Sequence, residues 1–92
     1  MQNYHWMDTQ LKRAIGAQFK PSLRGDILIF RYPHPSTHLF HTMWCPPLRI
    51  VAVNTQTEES KVVFDQVIQP WRFVKLPAGD IILEMDPKTD YE

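Results

Sequence analysis

Four residues that can ligate a metal or carry protons fall in one short window: His34, His38, His41 and Cys45, spaced four, three and four apart. Wound into a helix, that spacing sets all four along one face, enough donors for a tetrahedral zinc site. The residues between them argue for another backbone. Pro35, Pro46 and Pro47 bracket the segment, and Phe40, Thr42 and Trp44 favour a strand. In a strand, side chains alternate faces, so His41 and Cys45 share one face and His38 looks the other way. Positions four apart then lie about 13 Å apart along the chain, too far for a Cys–His proton transfer. The reading is therefore a strand over 39–44, a Pro46-Pro47 kink and a second strand, with Cys45 as a small structural hydrophobe.

Other chemistry is sparser. Glu58 and Glu59 sit in a polar turn as solvated charges, and alternation makes Asp65 and Glu84 outward-facing strand residues. Three glycines, at 16, 25 and 79, form no phosphate-cradling loop. No catalytic constellation is specified, and no cofactor is implied. The residues expected to line a surface groove are His41, Thr42, Trp44, Arg49, Trp71 and Arg72. They combine aromatic faces with polar groups.

The chain must position these residues with 92 amino acids, which makes one domain with a thin core. Aromatics at 12% suggest a core rich in Trp, Phe and Tyr. Ten basic residues balance ten acidic ones. Residues 1–50 carry six basic and two acidic side chains, and residues 51–92 carry four and eight. A whole-domain basic footprint for nucleic acid is absent. The acidic positions Asp80, Glu84, Asp86, Asp90 and Glu92 read as charges that solvate the C-terminal end. One cysteine allows no internal disulfide, and no stretch approaches a membrane span, so a soluble protein of a reducing cytoplasm is expected.

Residues 1–8 read as a flexible arm and 87–92 as an acidic tail. Asp8 or Thr9 can cap a short helix through about residue 18. GDILIFRYP is a strand ended by Pro33 and Pro35. LRIVAVN (48–54) and KVVFDQVI (61–68) read as a hairpin around a polar turn. Pro70 restricts WRFVKL to an edge strand, Pro77 to Asp80 make a turn, and IILEM (81–85) is a last short strand. The fold class is mainly β: a small antiparallel sandwich or partly open barrel of five to six strands with one short N-terminal helix.

The string Gly25-Asp26-Ile27-Leu28-Ile29-Phe30 resembles a G-M-L-F-V-F segment, and His41-Thr42-Met43-Trp44-Cys45-Pro46-Pro47-Leu48-Arg49-Ile50-Val51-Ala52-Val53-Asn54 resembles H-T-F-F-M-R-F-P-I-D-V-x-F-L-D with one residue deleted. Lys12-Arg13-Ala14-Ile15-Gly16 is similar to a basic helix ending R-x-x-G-L-M, and Pro70-Trp71-Arg72 matches a P-W-R element. Together these strings, over residues 9–86, resemble the uncharacterised bacterial and archaeal family catalogued as domain of unknown function 192. The resemblance implies a compact β-rich domain with a short helix and no assigned activity. Cys45 and Pro46 stand where the family has Met-Arg, and Arg49 and Asn54 where it has Asp.

Three functions compete at this level. The leading one is a non-catalytic module that binds a small molecule or a protein. The alternatives are a small metal- or Cys-dependent enzyme built on His34, His38, His41 and Cys45, and a structural homo-oligomer. Exposed strand edges in a small β domain invite pairing, which makes a homodimer the candidate assembly.

Overall fold

The computed structural model describes residues 3–7, 16, 18, 23, 25–56 and 59–88. Five strands form one sheet: β1 (Asn3–Trp6), β2 (Asp26–His41), β3 (Leu48–Asn54), β4 (Lys61–Ile68) and β5 (Phe73–Met85), in the order β1-β2-β5-β3-β4. All pairings are antiparallel except β1 with β2, which is parallel. The fold is mainly β, as expected. The expected helix over residues 9–18 falls almost entirely outside the described residues.

Three expectations about the strands are corrected. The N-terminal segment is not a free arm. Asn3–Trp6 pairs with Asp26–Ile29, and the His5 imidazole lies 2.9 Å from the Asp26 carboxylate. Residues 26–41 form one strand rather than two. Between the Arg31–Ile81 and Ser36–Gly79 pairs, β2 spends four residues, Tyr32 to Pro35, where β5 spends only Asp80. Pro33 and Pro35, which cannot donate to a ladder, are absorbed in that irregularity instead of ending the strand. Finally, residues 73–85 are one continuous strand rather than two; its first half pairs only with β2, as an edge does, and only residues 81–85 are central. Its second half pairs with both β2 and β3, and Pro77 falls beside the second register shift.

The β2–β5 irregularity is a corner. Phe30 and Phe40 are ten residues apart, about 33 Å along a straight strand. Their ring centroids are 5.5 Å apart, in an edge-to-face pair. Tyr32 and His38 stack across the same bend at 4.2 Å. The sheet therefore stays open at its edges but folds over one interior.

That interior holds Leu23, Leu28, Phe30, Leu48, Ile50, Ala52, Leu76 and Ile82, all essentially buried. A smaller cluster, Ile27, Ile29, Val51 and Met85, occupies the opposite face of the same strands. Burial on both faces explains the unbroken apolar runs of β2, β3 and β5. The core is mainly aliphatic, with Phe30 its one fully buried aromatic among the described residues. Tyr4, Trp6, Trp44, Trp71 and Phe73 are each more than half exposed. Among the described residues no helix is long and apolar enough to cross a membrane.

Ile82 is fully buried between β2 and β3, opposite Phe30 and Ala52. Ile82→Ala removes packing on both sides, and we expect a loss of about 3 kcal/mol of stability, read from urea unfolding. A loss below about 1 kcal/mol would mean the bent-sheet interior is packed differently.

Candidate functional site

The strand β2 ends at His41, and the next four residues form a tight turn rather than the expected continuation through Trp44. Thr42, expected in a groove, is buried, and every polar atom it carries is used. Its hydroxyl donates to the Gln69 carbonyl at 2.7 Å and accepts the Arg72 N–H at 2.9 Å. Its own N–H donates to the Arg72 carbonyl, and its carbonyl accepts from the N–H groups of Trp71 and Cys45. One threonine thus stitches the 42–45 turn to the 69–72 turn.

The stitching fixes two tryptophans in an unusual backbone. Trp44 has φ of 58° and Trp71 has φ of 65°. Trp44 is the third residue of the turn closed by the Cys45 N–H on the Thr42 carbonyl, a position that favours glycine. Left-handed backbone costs a bulky residue roughly 1–2 kcal/mol at each site. Both indole rings are about half exposed, and they meet edge to face with centroids 5.1 Å apart. Phe73, at 65% exposure, continues the surface and contacts the His41 ring edge to face at 6.4 Å. His41 Nε2 also lies 3.5 Å from the Gln18 amide nitrogen. The exposed Arg72 completes the group, with its guanidinium near the Trp71 carbonyl.

Of the six expected groove residues, His41, Thr42, Trp44, Trp71 and Arg72 are therefore brought together, with Thr42 beneath the surface rather than on it. Arg49 is placed elsewhere. Its guanidinium forks onto Asp65 of the neighbouring β4, Nε to Oδ1 at 2.8 Å and Nη2 to Oδ2 at 2.7 Å. That hydrogen-bonded fork holds the Asp65 carboxyl below its ordinary range against the opposing effect of burial. Phe73 was not among the expected groove residues, and its 65% exposure adds it to the surface.

The His/Cys window does not gather. His38 Nε2 donates to the Gly79 carbonyl, 3.2 Å away, beneath Tyr32. His34 is exposed in the corner. The Cys45 thiol points back to the Met43 carbonyl at 3.5 Å. Among the described residues, no three His, Cys, Asp or Glu side chains converge on a common point. Burial first, and the neighbouring Glu84 second, push the Cys45 thiol up to about 11. At pH 7 only about one thiol in ten thousand is then the nucleophilic thiolate.

Two acidic residues read as solvating charges are in fact buried, Asp80 and Glu84, each at 5% exposure. Burial pushes the Asp80 carboxyl up, but hydrogen bonds from Thr55 and Gln56 outweigh it and hold the group below its ordinary value. Asp80 thereby anchors the start of the β3–β4 connection to the β5 corner. Glu84 has a different environment. It lies between Leu28 and Ile50 on the inner face, and its Oε1 has no hydrogen-bond partner among the described residues. Burial pushes it up to about 7. The outward reading failed because alternation does not say which face is wet: Glu84 shares the face of Leu28, Ile50 and Ile82, which is the interior one.

No family model, curated protein or solved structure matches this chain. The resemblance to domain of unknown function 192 stands on the quoted strings alone.

Two tests follow from these buried groups. Glu84 holds its proton in the folded chain up to about pH 7, whereas unfolded it would lose it near pH 4.5. Below pH 4.5 both states are protonated and the group is neutral in stability. As pH rises from 4.5 to 7 the unfolded state alone releases its proton, so stability falls, and above 7 the loss is complete. About 3 kcal/mol should disappear across that window in urea unfolding series, and Glu84→Gln should flatten the profile. A wild-type profile that is flat or rises there contradicts the buried carboxyl. Separately, the native Cys45 thiol should react with a disulfide reagent at pH 7.5 at least ~100-fold more slowly than the urea-unfolded chain. Equal rates would show an open or activated thiol.

Proposed function

We propose that this chain is a non-catalytic binding module that docks an extended polypeptide segment on the aromatic surface of its 42–45 and 69–73 turns. The observation that carries this reading is the placement of Trp44 and Trp71. Two large side chains occupy left-handed backbone that glycine would adopt at no cost, yet about half of each ring remains in water. Neither strain nor exposure serves folding, so the pair earns its place by what it contacts outside the chain. Tryptophan and arginine are the residue types that dominate protein–protein binding energy, and here Arg72 stands beside the pair. The exposed cations Arg72 and Lys75 favour a segment that carries acidic side chains next to its apolar ones.

The enzyme alternative draws no support from the geometry, since among the described residues the His and Cys side chains do not converge on a common point and the thiol is held protonated. The resemblance to domain of unknown function 192 belongs to the same proposal and assigns no reaction. A reducing cytoplasmic setting is part of it too, because the lone Cys45 leaves no disulfide to form.

The test is selection of displayed peptides of about a dozen residues against the intact protein, followed by tryptophan-fluorescence titration of the winners. Selected peptides should combine apolar and acidic side chains. Trp44→Gly and Trp71→Gly should each weaken them by ~10-fold or more while preserving the circular dichroism spectrum, because glycine accepts the left-handed backbone. Peptides that bind both variants as tightly as the wild type would sink the proposal, as would failure to select any.

A further inference from the structure

The sheet is open, and β4 is one of its edges. No described strand pairs with its outer side. Every second N–H and C=O of β4 therefore faces outward, and Val62, Asp65, Gln66 and Val67 are exposed along it. Edge strands are usually blunted by charge, proline or a bulge. β4 carries such devices at one end only. Lys61 begins it, and the register shift between Ala52 and Val53 leaves Val63 as an extra residue. From Phe64 to Ile68 the strand is regular, and its single charge, Asp65, is already held by Arg49.

The geometry points to a homodimer in which β4 pairs antiparallel with β4 of a second copy, with the two-fold axis at Gln66. The register follows from the side-chain faces. Phe64 and Ile68 pack on the interior cluster, and Gln66 lies opposite Ile50 on that same face. Asp65 and Val67 lie opposite Val51 and Arg49 on the other face. Opposed residues of an antiparallel pair share a face, so a two-fold axis through a continuous sheet must pass through a residue position.

Three centres fall inside the regular run. An axis at Asp65 sets two carboxylates directly opposite each other, which is destabilising. An axis at Val67 uses only three regular residues and then meets Pro70, which has no N–H to give. An axis at Gln66 uses all five. It sets the two Gln66 amides side by side, Phe64 against the second copy's Ile68, and Asp65 against its Val67. The aromatic against β-branched pair occurs twice, on the face where both side chains are only partly covered. A second copy supplies both halves of that pattern from one sequence. The contact is small, below about 1,200 Å² in total, so the dimer forms in the micromolar range.

Sedimentation velocity over ~5–500 µM should show a monomer–dimer equilibrium for the wild type. Gln66→Lys and Gln66→Glu each set like charges across the axis and should raise the dissociation constant at least ~10-fold, with unchanged circular dichroism. Mixing the two variants one to one should restore the dimer. In a Cys45→Ala background, Gln66→Cys should close a disulfide with its copy under oxidised glutathione. Val67→Cys should not, because it lies two residues out of step with its own copy, beyond the ~7 Å reach of a disulfide. A monomer throughout the range, a dimer indifferent to both charges, no rescue on mixing, or open-ended chains would each overturn the assignment.

Discussion

The bend shared by β2 and β5 is the constraint from which the remaining architecture derives. A flat sheet of five strands leaves its faces to water, and the two long strands β2 and β5 are the ones that can bend to cover one. Folding the β2–β5 ladder back on itself lets one pair of strands supply two walls, so Phe30 meets Phe40 and Tyr32 meets His38 within a single strand. The prolines make the bend affordable in hydrogen bonds. Pro33, Pro35 and Pro77 all fall where the ladder is already out of register, so their missing N–H groups leave no rung broken.

The bend also decides the fate of the polar residues on β5. Asp80 lands at the corner, where the Thr55 backbone and side chain can reach it, and it stays ionised as a structural anchor. Glu84, four residues on, lands in the interior among Leu28 and Ile50, where desolvation favours the neutral acid. The same element thus holds one carboxyl below its ordinary value and another raised to about 7. The difference is set by hydrogen-bond donors at one position and their absence, among the described residues, from one oxygen at the other.

The hairpin β3–β4 was legible in the sequence because its signal is local: two alternating runs around a polar turn. The limits of β2 and β5 were not. Proline was read as a terminator, and only the partner strand reveals that four residues on one side can answer one on the other. The faces of Glu84 and Thr42 were misjudged for a related reason. Period-two alternation tells which residues share a face, but not which face is wet: both faces are covered at Glu84, and Thr42 lies in a turn beyond the end of β2. The aromatic surface was partly legible, since four of its residues, and the threonine beneath them, were singled out by type. Arg49 misled because its partner Asp65 is remote in sequence.

That end of β2 is where stability and recognition meet. Thr42 is buried and fully hydrogen-bonded, and it over-determines the geometry of both turns. Without it, Trp44 and Trp71 would relax toward ordinary backbone and lose their mutual contact. With it, the aliphatic interior holds the strain of a surface that contributes nothing to that interior. The division of labour bears on the composition: aliphatic side chains dominate the bent sheet's interior, and five of the nine described aromatics lie more than half exposed. A chain that needed its tryptophans for folding would have placed them where Leu76 and Ile82 now sit.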